Sequence, residues 1–306
     1  MTLAPVRLGT FIRSTSSGSR AGAIVRTARN SRHTIPRAGG SSARIAARVA
    51  TRIAGSQVWL VLPAYNEAEN LPPLLGRVGA AWSGRLRFRV LVVDDGSRDD
   101  TAEVAETMAG RLPVEVIRHE RNRGLAAAIR TGIREVCRRA RDGDVVVTMD
   151  ADNSHPPELV PLMIERLQAG HDIVIASRFV PGAREEGVPW RRRLLSRAAG
   201  MVFRAVCPIP GVRDYTTGFR AYRAAVLKEL WGRHGDRLIE AAAFSVMTEL
   251  LLKARTLRPR IAEVPLVLRY DLKGGASKMR LGRTLRDYAR LLGRELRPHR
   301  LTRRAA

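Results

Sequence analysis

From residue 58 onward, short apolar runs alternate with longer segments in which apolar residues recur every three or four positions. The short runs are rich in Val, Ile and Leu, a pattern typical of strands buried on both faces. The longer segments predict amphipathic helices. The pattern predicts strands over 58–62, 89–93, 114–117, 145–149 and 173–176. It predicts helices over 67–78, 99–108, 125–139 and 157–168.

This alternation indicates an α/β fold with a mostly parallel central sheet and helices on both faces. In such sheets the ligand binds in a crevice outside the carboxyl ends of the strands. Polar side chains occur at four of the predicted strand ends, and we expect them to converge on one crevice. They are Tyr65 and Glu67 after the first strand, Asp94 and Asp95 after the second, Asp150 and Asp152 after the fourth, and Arg178 after the fifth.

Residues 1–54 differ in composition from the rest of the chain. They contain ten Arg and no Asp or Glu, and they are rich in Ser, Gly and Ala. Such a segment buries too little apolar surface to order itself, which predicts a disordered basic arm or a misassigned start. A transit peptide is the alternative, because its composition is similar. The expected domains are the arm at 1–54, the α/β domain at 55–279, and a basic amphipathic helix and tail at 280–306.

The net charge indicates which kinds of partner the protein attracts, and the cysteines indicate its compartment. The formal net charge of +25 attracts polyanions such as nucleic acid, anionic lipid headgroups or phosphorylated substrates. Cys137 and Cys207 have neither a CxxC nor a zinc-type spacing, so we expect reduced thiols in a cytosolic protein. No apolar stretch approaches the roughly 18 to 20 residues that span a bilayer.

Asp150 and Asp152 flank a small residue, Ala151, directly after a predicted buried strand. Their carboxylates are hard ligands that suit Mg²⁺ or Mn²⁺, ions that keep waters and bridge substrate phosphates. A metal in this position would neutralise a departing diphosphate. Two solvated loop acids are the alternative, and the neighbouring acidic strand ends favour the metal site. His155 could supply a third ligand or only shape the loop.

Asp94 and Asp95 are suited to hydrogen-bond a base or a ribose, as acidic residues at strand ends do for nucleotides. An Asx-turn that caps the next helix through Ser97 or Asp99 is the alternative. Neither Gly-x-x-x-x-Gly-Lys nor Gly-x-Gly-x-x-Gly follows the first strand. A glycine loop that cradles phosphates is therefore not expected.

Five segments between residues 58 and 279 read as an ordered set of motifs. They are LPAYNE at 62–67, VVDDGS at 92–97, MDADNSHPPE at 149–158, DYTTGFR at 214–220 and GASK at 275–278. Together they resemble the motifs of glycosyltransferase family 2 enzymes of GT-A fold, and within that family the dolichol- or polyprenol-phosphate mannose synthases. The resemblance implies a nucleotide-sugar-dependent hexosyltransferase that uses Mg²⁺ or Mn²⁺.

Carried over by position, the resemblance implies three groups of site residues. The donor-binding residues are Pro63, Tyr65, Glu67, Asp94, Asp95, Ala151, Lys273 and Lys278. The metal ligands are Asp150 and Asp152. The catalytic residues are Asp152, Arg178 near the reacting phosphates, and Arg192 and Ser196 at the acceptor phosphate.

Two positions depart from the family pattern. Ser154 stands where the family often has a Gln two residues after the second metal-binding Asp. Leu272 stands where the family often has an Arg, with Lys273 and Arg269 nearby. Either neighbouring cation could substitute for the missing arginine.

The implied acceptor, a polyprenyl phosphate, is an anionic nucleophile near neutral pH and needs no general base. It needs a cationic pocket that places it in line with the anomeric carbon, which implies inversion. Guanidinium groups bind phosphate bidentately and stay charged, and this suits Arg178 and Arg192. Mannose from GDP-mannose is the favoured donor, and UDP-glucose or another nucleotide sugar is the alternative.

Two segments, 194–206 and 281–297, combine an apolar stripe at helical spacing with several arginines. Each predicts either a helix lying on an anionic membrane surface or a stripe that packs on the protein's own core. A lipid acceptor and the basic excess favour membrane contact for at least one of them. We expect peripheral association with the cytoplasmic face of a membrane, with room for a separate membrane-protein partner.

Two other functional classes are disfavoured. Specific nucleic-acid binding would explain the charge, but aromatic residues are only 5% of the chain and no recognisable nucleic-acid motif is present. The acidic residues also gather where a nucleic acid would have to bind. An inactive scaffold is disfavoured because the acidic loops are retained.

Overall fold

The computed structural model describes residues 55–240, 245–274 and 281–296. Within these ranges the strands are β1 (Val58–Ala64), β2 (Phe88–Asp94), β3 (Val114–Arg118), β4 (Val145–Thr148), β5 (Ile173–Ser177), β6 (Arg184–Glu186), β7 (Arg220–Arg223), β8 (Ile261–Pro265) and β9 (Val267–Arg269). The α-helices are α1 (Leu71–Trp82), α2 (Thr101–Met108), α3 (Leu125–Arg139), α4 (Val160–Gln168), α5 (Trp190–Val206), α6 (Ala224–His234), α7 (Val246–Ala254) and α8 (Leu281–Leu296). The predicted arm at 1–54 and Lys278 with its loop lie outside the described residues.

Seven strands form the main sheet, in the order β3-β2-β1-β4-β7-β5-β8. Only β7 runs antiparallel to its neighbours, and β6 pairs with β9 in a separate small parallel sheet. The mostly parallel sheet predicted from the alternation is therefore confirmed. In the β1–β2 register Ala64 lies opposite Asp94, so the loops that follow these two strands begin side by side.

The core forms on both faces of this sheet because successive strand residues point in opposite directions. Along β1, Leu60 and Leu62 face a cluster that includes α1 and α4. Trp59 and Val61 face a second cluster that includes α3, α6 and α7. Close packing of α3 on β1 requires a glycine, because a Cβ at Gly132 would lie 2.4 Å from Val61 Cγ1.

Helix boundaries differ from the sequence expectation mainly at amino termini. The helix predicted from 67 begins at Leu71, because Glu67 and Asn70 form a turn and prolines occupy the first helical positions. The helix predicted from 157 begins as a 3₁₀ turn, Pro157–Leu159, before α4. The helix predicted over 125–139 coincides with α3. None of the helices in the described ranges has both the length and the apolar character needed to cross a bilayer.

Candidate active site

A cavity of about 120 Å³ lies beyond the carboxyl ends of β4 and β5. Its polar lining residues are Asp150, Asp152, Ser154, His155, Arg178, Glu185, Arg192, Ser196, Thr216, Thr217, Tyr270, Thr284 and Tyr288. The structure thus brings the two predicted metal ligands and the three other predicted catalytic residues to one volume. The cavity lining contains both acidic and basic side chains. This lining suits a phosphate-bearing substrate that binds together with a cation.

Asp152 is buried and is held from two sides. Its Oδ2 accepts a hydrogen bond from Lys273 Nζ at 2.6 Å. Its Oδ1 accepts from the backbone N–H of Ser154 at 3.2 Å and from the Ser154 hydroxyl at 2.5 Å. Burial alone raises the pKa of a carboxyl group, but the positive charge of Lys273 outweighs it and holds the pKa of Asp152 below its usual range. Asp152 is therefore an anion that already attracts a cation.

Asp150 is surrounded by protein, yet its side chain remains 44% exposed because it faces the open cavity. Burial among the cavity walls raises the pKa of Asp150, and the nearby charge of Asp152 raises it further. The backbone N–H of Asp150 donates to His155 Nδ1 at 3.3 Å. Space for the carboxylate depends on Gly218, where a Cβ would lie 3.1 Å from Asp150 Oδ1. A bound cation would stabilise the partly exposed Asp150 carboxylate beside the ionised carboxylate of Asp152.

These carboxylates fit a divalent metal held mainly by substrate and water. Within the described ranges, no group of three or more His, Cys, Asp or Glu side chains is arranged to hold a metal ion. Mg²⁺ commonly binds through one or two carboxylates together with waters and substrate phosphates, so the pair Asp150 and Asp152 suffices. The Lys273 ammonium on Asp152 serves as a stand-in cation. Because His155 Nδ1 accepts the Asp150 N–H, that nitrogen shapes the loop in this structure.

Of the two cations near Leu272, only Lys273 contacts the carboxylate pair. Arg269 instead pairs with Asp271 at 2.7 Å and with Glu186 at 3.1 Å. Lys273 is therefore the one of these two cations that lies beside Asp152, and its substitution for the family arginine stays a prediction.

Arg178 is held in a buried ion pair that sequence reasoning missed. Its Nε and Nη2 donate to the two carboxylate oxygens of Asp214, each at 2.8 Å, and Nη2 also donates to Thr216 Oγ1 at 2.6 Å. Burial alone lowers the pKa of an arginine, but the charge of Asp214 raises the pKa of Arg178 above its usual value. Because the Asp214 charge compensates it, Arg178 contributes directed N–H groups more than net positive charge.

Arg192 projects from α5 and contacts Tyr270, another residue that the sequence did not indicate. Its Nη1 donates to the Tyr270 hydroxyl at 2.5 Å, and its guanidinium carbon lies 5.0 Å from the centre of that ring. Lys273 Nζ lies 5.5 Å from the same ring centre. Ser196, one turn along α5, has its hydroxyl 3.3 Å from that of Thr216. The cationic groups of Arg192 and Lys273 thus both lie within 5.5 Å of the centre of the Tyr270 ring.

The acids after β2 make structural contacts. Asp94 Oδ1 accepts from the backbone N–H of Ser97 at 3.1 Å and from its hydroxyl, which forms the expected Asx-turn. Asp95 accepts from the N–H of Gly124 at 2.7 Å and lies 2.7 Å from His119 Nδ1. The Asp94 contact matches the turn part of the alternative, and the Asp95 contact fixes the start of α3. Nucleoside binding by either acid stays a prediction.

The remaining predicted donor residues differ in accessibility. Glu67 is buried and its Oε2 accepts from Asn70 Nδ2 at 2.6 Å. Pro63 and Tyr65 are half-buried. Ala151 is buried in the core, so any donor contact must use its backbone.

A GT-A-type sheet with a carboxylate pair after β4, faced by arginine and serine from a helix, defines a sugar-nucleotide transferase scaffold. Residues 59–231 match the family described as Glycosyl transferase family 2. The chain is 37% identical over 235 residues to the Dolichol-phosphate mannosyltransferase of Pyrococcus furiosus, covering 76% of this chain and 62% of that protein. It is 36% identical over 222 residues to the Polyprenol monophosphomannose synthase of Mycolicibacterium smegmatis, covering 72% and 80%. A solved neighbour is glucosyl-3-phosphoglycerate synthase from Mycobacterium tuberculosis in complex with Mn²⁺, uridine diphosphate and phosphoglyceric acid; the TM-score is 0.56 and the identity 23%, covering 85% of this chain and 83% of that one.

The chain belongs to glycosyltransferase family 2. The family and the GT-A fold inferred from the motifs are confirmed. Similarity at 23% identity establishes the fold alone. The chain spans 62% of the length of the Pyrococcus relative, which is less than two thirds.

Proposed function

We propose that this protein transfers a hexose to a polyprenyl phosphate with inversion and with the help of Mg²⁺ or Mn²⁺. The favoured hexose is mannose, and its favoured donor is GDP-mannose. The observation that carries the proposal is the shared cavity, where Asp150 and Asp152 line the same volume as Arg192 and Ser196. The names of two relatives, a dolichol-phosphate and a polyprenol mannose synthase, support the acceptor and the sugar. The Mn²⁺ and uridine diphosphate in the Mycobacterium neighbour support a metal and a nucleotide donor.

In the proposed reaction an oxygen of the acceptor phosphate bonds to the anomeric carbon as the bond to the donor diphosphate breaks. The acceptor oxygen carries no proton to remove, so the cavity acids need not act as bases. A divalent cation, when bound, neutralises the charge that develops on the leaving diphosphate. Asp150 and Asp152 would hold that cation. Arg192 and Ser196 would place the acceptor phosphate, because a guanidinium and a hydroxyl donate to phosphate oxygens in fixed directions.

Arg178 has a narrower role in this proposal than the sequence alone suggested. Asp214 compensates its charge and Thr216 takes another donor position. Its remaining capacity is to direct N–H groups into the cavity that it lines. Arg192 lines the same cavity and donates to the Tyr270 hydroxyl, and in this proposal it supplies positive charge toward the acceptor.

The donor is tested directly with purified full-length protein, Mn²⁺ and a polyprenyl phosphate in detergent. We expect radiolabelled GDP-mannose to be used about 10²-fold better than UDP-glucose in kcat/KM, because a site that hydrogen-bonds its base and sugar discriminates strongly. The readout is label in the lipid phase, with boiled protein as the control. Preference for UDP-glucose would replace the sugar, and no lipid-linked label from any nucleotide sugar would overturn the transfer itself.

Helix α5 supplies a surface for membrane contact, which we include in the proposal. Trp190, Leu194 and Met201 are 67%, 60% and 56% exposed. Exposed arginines such as Arg191 and Arg204 lie on the same helix, and Arg191 stacks on Trp190. Large apolar side chains interspersed with arginine on an exposed helix suit an anionic bilayer interface. The same helix carries Arg192 and Ser196, so the acceptor headgroup would arrive next to the cavity.

Membrane contact is tested by flotation with vesicles that contain anionic lipid. We expect the wild-type protein to float and the double variant Leu194→Ser/Met201→Ser to bind roughly tenfold or more weakly, because each removed apolar group weakens insertion. Val267→Ser, which changes an exposed valine on β9, is the matched control. Binding that ignores both lipid charge and the double substitution would count against α5 as the contact surface. The cytoplasmic face and a separate membrane-protein partner remain part of the proposal.

A further inference from the structure

Lys273 and Asp152 form a buried ion pair beside the predicted metal site. Their side chains are only 10% and 11% exposed, and Nζ lies 2.6 Å from Oδ2. The other oxygen of Asp152 accepts two hydrogen bonds from Ser154. Both carboxylate oxygens of Asp152 are therefore engaged by groups of the chain itself.

Lys273 belongs to a short segment, residues 270–274, that we term the strap. At one end the Tyr270 hydroxyl accepts from Arg192. At the other end the Gly274 N–H donates to Asn70 Oδ1 at 2.8 Å, and Asn70 Nδ2 donates to Glu67 Oε2 at 2.6 Å. The strap thus connects the loop after β1, which contains Glu67, with helix α5, which carries Arg192 and Ser196.

A divalent cation on Asp152 would lie close to the Lys273 ammonium if the strap kept its position. Like charges at contact distance repel each other, and they do so more strongly where protein surrounds them. Asp150 offers a different situation, because its side chain is 44% exposed and faces the cavity. A cation can therefore reach Asp150 first, and it must contend with Lys273 for Asp152.

We propose that Lys273 is a built-in counter-ion that competes with the divalent cation for Asp152, so that metal binding releases the strap. The proposal rests on the metal site of the proposed function and adds a second state to it. In the metal-free state Lys273 neutralises Asp152, and the strap stays beside the loop that contains Asp150 and Asp152. In the metal-bound state the ammonium leaves Asp152 and becomes free to contact the donor diphosphate.

The test is the affinity for Mn²⁺ alone, without nucleotide, measured on the full chain by the electron paramagnetic resonance signal of free Mn²⁺. We expect Lys273→Met and Lys273→Gln to bind Mn²⁺ roughly tenfold more tightly than the wild type, because a charged hydrogen bond no longer competes. The matched control is Lys228→Met, which removes the same charge from a lysine paired with Asp142 elsewhere. It should leave Mn²⁺ binding at the wild-type value.

Asp152→Asn separates this proposal from the metal site on which it rests. Loss of Mn²⁺ binding in Asp152→Asn, together with tighter binding in both Lys273 variants, supports the competition. Loss in Asp152→Asn with unchanged or weaker binding in the Lys273 variants overturns the competition and leaves the metal site in place. Undiminished binding in Asp152→Asn overturns both. Equal tightening in Lys228→Met would reduce the effect to overall charge and would also overturn it.

Discussion

Replacing Asp152 with asparagine is expected to lower the kcat of sugar transfer about 10³-fold. The loss of one preorganised charge that stabilises a leaving group has an effect of this size. Asparagine keeps an oxygen that can accept a hydrogen bond from the Ser154 hydroxyl. The Lys273 ammonium still has the Asp150 carboxylate near it after the substitution. The free energy of unfolding should therefore fall by no more than about 3 kcal/mol, so the fold survives. Transfer assays with excess Mn²⁺ and thermal unfolding of the same samples measure the two effects separately.

Asp142→Asn is the control for this prediction. Asp142 is an exposed carboxylate paired with Lys228, so its replacement removes an equal charge far from the cavity lining. It should change kcat by less than about twofold, because exposed ion pairs contribute little. Wild-type turnover by Asp152→Asn under saturating Mn²⁺ would remove Asp152 from the proposed metal site.

The apolar pattern predicted five of the seven strands of the main sheet, and it did not predict β7 or β8. The runs that became β1, β2 and β4 are continuous apolar segments, as strands buried on both faces should be. β7 carries Arg220 and Arg223, both buried, so its pattern does not read as a strand. Arg220 is accommodated because its Nη1 and Nη2 donate to the carbonyl oxygens of Met247 and Tyr215. Met247 lies 27 residues away along the chain, so local periodicity cannot reveal this contact.

The sequence predicted the acidic residues of the site better than it predicted the contacts between the charged residues of the site. Strand ends and motif order pointed to Asp150 and Asp152, and the cavity contains both. Asp214 begins the DYTTGFR motif, but neither its pairing with Arg178 nor the contact of Tyr270 with Arg192 could be predicted, because these contacts span 36 and 78 residues of chain. A sequence pattern shows that a charge is present, whereas only packing shows which charge compensates it.

The two amphipathic helices illustrate the same limit. Both carried an apolar stripe, and periodicity states that a face is apolar without stating what covers it. In α8, Tyr288 and Leu291 are buried, and Tyr288 packs edge-on against Phe203. In α5, Leu194 and Met201 are exposed. The packing alternative therefore holds for part of α8, whose Leu285 and Leu296 remain exposed, and α5 keeps an exposed apolar surface as well.

Asp214→Asn should cause the largest loss of stability among single substitutions near the cavity, about 3 to 5 kcal/mol, because it leaves the buried Arg178 charge without its partner. Asp214 is fully buried and accepts from Arg178 Nε and Nη2 and from three backbone N–H groups, so an amide would also place donors against donors. Urea unfolding of purified protein measures the loss. The double variant Arg178→Met/Asp214→Leu is the control, and it should recover much of the loss because no buried charge remains unpaired.

The same pair gives a pH dependence with a definite sign. Burial alone would raise the pKa of Asp214, but Arg178 holds it below its ordinary value of 3.8. A carboxyl group with a depressed folded-state pKa stabilises the protein above its unfolded-state pKa, and this stability is lost as the pH falls through the folded-state value. The wild type should therefore lose stability below about pH 4 more steeply than Asp214→Asn, which has no proton to take up at this position. Parallel urea midpoints at pH 3 and pH 7 compare the two proteins. Equal acid sensitivity, or a stability loss below about 1 kcal/mol in Asp214→Asn at pH 7, would mean that the Arg178–Asp214 pair is not an anchor of this cavity.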